Sequence, residues 1–525
     1  MTRLRLFAAA VCTATLAVPS FAQISPAQSL LDQDAAMLAL RVGEASVQSL
    51  ELPATAGKAF IVDVSLAGSD HELILSPHEV RGSGYQLLVQ GADGAIDLYQ
   101  PGASTTYRGF VAGHEDSVVA GSLFEGQLTA LVSLGDEVFG VQPVSGVVPG
   151  AAPERHVVYA ESDVQPHDGR CVALPNPLAE PEPPVSGGGG FGDGGPAPLK
   201  VVELACDADV QFYQDNGSSV AATEADITNV INAMGAIYLD DTGVIYDITT
   251  ILVRTSEPDP YTSSSAFTLL DQFVAEWTNN QAAIPRDHAQ LFTGRNIDGG
   301  IIGIAYLDVI CNFDFGYGLV ESNFTSDFAT RVGLSAHECG HNWGAGHCDG
   351  QADCWIMCSF IAGCGGDVTQ FGSSSINAIV STKNSSPCLE DPVGPGCGLE
   401  SYGEGLNPTT LTGTGSGAIG TAATFTYSDP SAAPSNAFIV VAGMEGNQPF
   451  AGGTLLFVPS SIIFFTAGVS FGSTGDTPSE VINIPNNPGL AGSVVVFQAV
   501  HFNGAWGGPG TITEMSNGVE LTICP

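Results

Sequence analysis

His337-Glu338-Cys339-Gly340-His341-Asn342-Trp343-Gly344-Ala345-Gly346-His347 gathers three of the chain's ten histidines into eleven residues. On a helix His337 and His341 lie one turn apart and share a face. Both imidazoles can then reach one ion. Gly344 can adopt a positive φ, so the chain can leave the helix there and turn back with His347 as a third ligand. Three neutral imidazoles suit Zn2+ at ~2.0–2.1 Å and leave a fourth position for water. Glu338, beside His337, can reach that water. Bound zinc brings the pKa of a water down to about 7, and a carboxylate so placed takes its proton and carries it to a leaving amine. A structural zinc site is the competing reading, with Cys339 or Cys348 closing the shell. Glu338 would then have no purpose.

Outward from this segment, residues 199–391 alternate strand and helix. Leu199–Ala205 reads as a strand, and Ile227, Val230, Ile231, Met234, Ile237 and Tyr238 share one helical face. Thr223 and Asp226 resemble a capping box at the start of that helix. Val244–Arg254 returns as a strand. Phe267, Leu270, Phe273, Val274 and Trp277 mark a second amphipathic helix, and Ala289–Thr293 and Ile301–Tyr306 two further strands. The pattern predicts an α/β (α+β) domain with a mixed sheet.

With these residues in hand, a family likeness emerges. HExxHxxGxxH is the motif of the metzincin zinc endopeptidases, and Glu338 to Gly344 resembles the "EΦGHNxG" of their adamalysin (reprolysin, ADAM-like) branch. Asp287-His288-Ala289-Gln290-Leu291-Phe292-Thr293-Gly294 is similar to "DxAQLLTG", Gly303-Ile304-Ala305-Tyr306 through Cys311 to "GLAxxxxxC", and Phe371 to Ser375 to "FSxxS". The resemblance implies a methionine turn at Met357 beneath the metal, and an edge strand at 300–308 that binds a peptide antiparallel through main-chain bonds. It implies a Cys311–Cys388 disulfide. It also implies a calcium site from Glu203, Asp287 and Asp391, where hard oxygen ligands suit Ca2+; three surface carboxylates of a very acidic chain are the plain alternative. One departure stands out. The aspartate that follows the third histidine directly in the family is displaced here to Asp349 by Cys348.

Upstream, Tyr107 to Pro143 resembles the reprolysin propeptide, so residues 23–174 are read as a β-rich inhibitory prosegment. Cys171, in Gly169-Arg170-Cys171-Val172, is the candidate for a thiolate that fills the open zinc position; an ordinary disulfide partner or inert thiol is the other reading. Residues 175–198 are rich in proline and then glycine and read as a linker. Arg3 and Arg5, the apolar run Leu6 to Val18 and Ser20-Phe21-Ala22 read as a secretory signal peptide over residues 1–22, cut after Ala22. Of twelve cysteines, Cys12 leaves with it. With Cys171 set aside, Cys397 with Cys524 would join the ends of the last domain. Cys206, Cys339, Cys348, Cys354, Cys358 and Cys364 could pair in 15 ways.

Residues 392–525, rich in Gly, Ser, Thr and Val, predict a β-sandwich. The apolar run Leu455–Phe471 is interrupted by Pro459-Ser460-Ser461, which favours buried strands over a membrane span. A net charge of −41 from 14 basic and 55 acidic residues sets aside nucleic acid and anionic membranes as partners. The expectation is a secreted zinc endopeptidase made as a proenzyme. The alternative is a non-catalytic zinc-containing adhesion or binding protein whose terminal domain does the work. Neither oligomeric state nor cleavage preference can be read from the chain.

Overall fold

The computed structural model describes residues 26–178, 199–391 except 365–366, and 398–523 except 403–408, 430–435, 444, 451–452, 458–463, 466–468, 472–476, 486–493 and 504–510. The expected signal peptide, most of the expected linker, Cys397 and Cys524 lie outside the described residues.

The N-terminal segment opens with helix α1 (Pro26–Leu40), followed by strands β1 (Ser46–Ser49), β2 (Phe60–Leu66), β3 (Ser69–Pro77), β4 (Arg81–Gln90), β5 (Ile96–Tyr99) and β6 (Thr106–Val111). It continues with β7 (His114–Phe124), β8 (Gln127–Leu134), β9 (Glu137–Pro143), β10 (Arg155–Ala160) and β11 (Arg170–Leu174). Eight of these strands form one antiparallel sheet in the order β1-β10-β9-β8-β7-β6-β3-β2. Alternate residues of β2 are buried, the period-2 pattern of a sheet with one dry face.

The zinc-motif region supplies β12 (Lys200–Ala208), α2 (Val210–Asp215), α3 (Val220–Thr242), β13 (Val244–Arg254), α4 (Ala266–Asn279) and β14 (His288–Thr293). It then adds β15 (Ile301–Tyr306), β16 (Tyr317–Glu321), α5 (Phe328–Asn342) and α6 (Ser373–Ser385). A mixed sheet results, in which β15 alone runs against its β16 neighbour among these five strands. The expected strands and helices are present, with two corrections. Helix α3 is capped four residues before the expected Thr223: the cap is Ser219, whose hydroxyl accepts from Ala222 N, and Asp226 accepts from Arg331 instead. A serine one turn earlier satisfies the same free amides. On α4 the buried stripe is 266, 269, 270, 273 and 277, so Phe267 falls beside it and is 48% exposed.

The sheet does not end at its own strands. Its full order is β11-β15-β16-β14-β12-β13-β4-β5, with the N-terminal segment supplying the strands at both edges. Strand β15, an edge strand by the family likeness, is therefore covered by β11, in parallel register from Arg170↔Ile301 to Leu174↔Tyr306. Helix α3 is buried nearly all round, because its polar face (Glu224, Thr228, Asn229, Asn232) packs under the N-terminal sheet. The apolar core runs through this boundary: Val80, Leu87, Ala120 and Leu131 pack in one cluster with Ile227, Met234 and Val332.

The terminal region forms antiparallel sheets. One contains Gly398–Tyr402, Thr511–Thr522, Val494–Asn503 and Ala437–Gly443; another contains Thr410–Thr414, Ala422–Ser428 and Ser479–Asn483. Phe425 and Tyr427 of the second stack on Phe497 and Phe438 of the first, giving the two sheets a common core. Of the apolar run 455–471, residues 455–457, 464–465 and 469–470 lie in short strands, and no described helix is long and apolar enough to cross a membrane.

Candidate metal and catalytic site

Helix α5 carries the site. Asp327 caps its start, accepting from Thr330 N at 2.9 Å. The helix ends at Asn342, and just past its cap Trp343 the chain turns at Gly344, whose φ of 90° is the left-handed conformation expected there. The helix is clamped from below and beside. Tyr238 OH donates to Ala336 O at 2.8 Å, and Ser335 Oγ donates to Gln290 Oε1 at 2.9 Å. Beneath it lies Met357: a Cβ built on Gly340 would stand 2.7 Å from Met357 Sδ, so only glycine lets the methionine sit this close.

The three histidines converge. His347 Nε2 lies 3.2 Å from His337 Nε2 and 3.1 Å from His341 Nε2. The opposite nitrogens are committed: His337 Nδ1 donates to Ile356 O at 2.6 Å and His341 Nδ1 to Ala345 O at 2.7 Å. Those bonds fix the tautomers and leave bare lone pairs facing each other. Burial, with the neighbouring imidazoles, pushes His337 well below its usual range and His341 down to about 3; His347 is lowered by burial too. Burial thus favours the uncharged ring at each position, and the Nε2 lone pairs of His337 and His341 converge with His347 Nε2 on one point that a cation can occupy. A tetrahedral ion with bonds of ~2.0–2.1 Å would hold its ligands about 3.3–3.4 Å apart, close to the spacing found. The residues present fit zinc.

Glu338 is fully buried beside them. Its carboxyl packs against β15: a Cβ on Gly303 would come within 2.1 Å of Oε1. Burial pushes this carboxyl well above the usual range, and the facing Cys171 thiol pulls it partly back. Cys171 is opposite Gly303 in the β11–β15 register, and its Sγ, a His337 ring nitrogen and a Glu338 oxygen lie within 4.8 Å of one another. Burial, and then the Glu338 charge, push that thiol well up.

Below the metal position, Cys348–Cys354 and Cys358–Cys364 close short loops on either side of Ile356-Met357, and Cys311–Cys388 forms as the family likeness implied. Cys171, Cys206 and Cys339 are free and buried. Asp349, one place later than the family pattern, still accepts from Ser359 N at 2.9 Å and Ser359 Oγ at 2.7 Å, tying the third histidine's loop to the segment after Met357.

The calcium set does not assemble. Asp287 Oδ2 accepts the Glu203 amide at 2.8 Å, while Asp391 turns to Lys200 Nζ at 2.7 Å with its side chain 83% exposed. The acid that crowds Glu203 and Asp287 is Glu390; burial, then Glu203 and Glu390, carry the Asp287 carboxyl up to about 6. Sequence reasoning also passed over two supports. Asn342 donates to Tyr306 O at 2.9 Å and Tyr317 O at 3.1 Å, and its Oδ1 lies 3.1 Å from His288 Nδ1, fastening the end of α5 to β15 and β16. Gly303 is the other, and a glycine inside a strand was its available signal.

Residues 199–388 match the family model Reprolysin_5, described as metallo-peptidase family M12. Among solved structures, the crystal structure of metalloproteinase-II from Bacteroides fragilis aligns at 12% identity and a TM-score of 0.34, covering 62% of this chain and 92% of that one.

Proposed function

We propose that the protein, whose residues 199–388 match a metallo-peptidase family M12 model, is a secreted, adamalysin-like zinc endopeptidase made as a latent proenzyme. His337, His341 and His347 hold the metal, Glu338 is the general base, and Met357 is the floor beneath them. The observation that carries this reading is the convergence of three Nε2 atoms, those of His337 and His341 with their lone pairs turned inward, beside the fully buried Glu338 carboxyl.

When bound, zinc supplies a Lewis acid and an acidified water. The chain's own residues do the rest. The free face of β15 aligns an extended peptide by main-chain pairing, antiparallel to the strand, so that a carbonyl lies over the histidines. Glu338 takes a proton from the attacking water and returns it to the departing amine nitrogen as the C–N bond breaks. In the latent form β11 holds that face in the parallel sense and places Cys171 at the position water needs. Covered in this way, Glu338 faces a thiol where the attacking water would stand. Removing β11 admits water to it.

Casein and quenched-peptide cleavage by linker-cleaved protein tests the reading, beside Glu338→Ala and a zinc chelator. The expected result is activity that falls by ~10²–10⁴-fold in the variant, with zinc content retained, and that vanishes with chelation. Undiminished cleavage by Glu338→Ala would overturn the mechanism.

A further inference from the structure

The N-terminal segment meets the peptidase domain in two unequal ways. Strand β11 is a short cover. It pairs with β15 on one side, and Cys171 N donates to Ser359 O at 3.0 Å on the other. Only Cys171 of its five side chains is buried. Residues 165, 166 and 168, which lead into it, are exposed.

The body of the segment, by contrast, completes the peptidase fold. Strand β4 adds to β13 in parallel register from Thr250↔Gln86 to Arg254↔Gln90, far from the cleft. Arg81 and Tyr85 reach Glu224 on α3 at 3.2 and 2.9 Å. Fully buried Arg108 donates to Asn232 Oδ1 at 2.8 Å and Asn232 O at 2.6 Å, and Asn232 returns bonds to Tyr107 O and Gly121 O. At the catalytic helix the dependence is direct. Phe328 N, in the first turn of α5, donates to Gln142 Oε1 at 2.9 Å; Gln142 Nε2 donates to Ser326 O at 3.0 Å; Tyr159 OH bonds both Gln142 and the cap residue Asp327. Removing the body would leave these amides, Glu224 and the polar face of α3 without partners, and would open the shared core.

Resting on the peptidase reading above, we propose that the N-terminal body, residues 26–164, is a permanent structural subunit of the active enzyme. Activation withdraws β11 alone. A cut in the linker frees the C-terminal end of β11, the strand swings out on residues 165–169, and the body stays docked on α3, β13 and the start of α5. The active species is thus two chains held without a covalent link, and the body's surface is a lasting interface rather than that of a detachable inhibitor.

The test uses the full chain with a site-specific protease sequence placed within residues 185–195. After cutting, three quantities are read: co-migration of the fragments on size exclusion, alkylation of Cys171 mapped by peptide mass, and peptide hydrolysis. The expected result is co-migrating fragments, Cys171 newly alkylated, hydrolysis present, and loss of both zinc and the melting transition when urea strips the N-terminal fragment away. A separately eluting N-terminal fragment beside a C-terminal fragment that melts cooperatively and hydrolyses peptide would overturn the proposal. So would a co-migrating pair whose Cys171 stays protected. Co-migration with Cys171 exposed and zinc bound but no hydrolysis would sink the peptidase reading and leave the subunit proposal standing.

Discussion

Glu161 offers a pH handle on the docking of the N-terminal segment. It is 8% exposed, accepts Val368 N at 3.2 Å, and has acids rather than a cation for neighbours. Burial, then the charge of Asp367, push its carboxyl up to about 8, with the Val368 amide pulling back. In a released fragment it returns to the ordinary value of 4.5. The docked state therefore binds a proton that the released state does not, so docking is strongest at low pH and weakens as pH climbs towards 8. Between pH 6.5 and 8.5 this one group should weaken docking about 25-fold, or ~2 kcal/mol. Starting at pH 6.5 avoids His78, His156 and His167, whose lowered values act in the opposite direction on the acid side. The assay is the urea concentration at which the intact linker-cut pair separates, followed by size exclusion across that range, for wild type and Glu161→Gln. The glutamine keeps the shape and cannot ionise, so most of the slope should disappear. Equal slopes for the two proteins would refute the assignment.

Three further outcomes follow from the geometry. Gly303→Ala should push the Glu338 carboxyl aside and reduce kcat/KM by ~10²-fold, with zinc stoichiometry by metal analysis unchanged, since no metal ligand moves. Asp207→Ala should cost ~3–5 kcal/mol in chemical denaturation, because buried Asp207 takes bonds from Arg254, Tyr261 and Trp277 and its loss strands the Arg254 cation. Cys171→Ser in the uncut chain should raise basal peptide hydrolysis above that of uncut wild type, measured on the same quenched peptide; unchanged latency would show that β11 alone blocks the cleft.

The convergence of the candidate ligands was legible because it is local. His337, His341, Gly344 and His347 lie in eleven residues, and helical periodicity with one left-handed glycine is enough to bring them together. Met357 and the Cys311–Cys388 bridge were reachable only through family likeness, since nothing in their spacing fixes a contact. What escaped the sequence depends on pairing between distant segments. The family likeness implied β15 as an edge, and nothing in Arg170–Leu174 announces that those five residues will lie along it. Likewise Glu224, Asn229 and Asn232 read as the wet face of an amphipathic helix, and they are buried because a second sheet arrives from a hundred residues upstream. The calcium expectation failed at a single residue: Asp391 has a lysine within reach and takes it.

The bridges Cys348–Cys354 and Cys358–Cys364 also set a timetable. Two of the three imidazoles ride on a helix and are positioned as soon as it folds. The third hangs on a loop that becomes a fixed object only when its neighbour Cys348 has found Cys354, and when the stretch that Asp349 grips has been closed by Cys358 with Cys364. Thiols kept reduced leave that loop untethered and the ion short of a ligand. With those four thiols reduced, His337 and His341 would still be presented by the helix, and His347 would be the one imidazole left to find its place by packing alone.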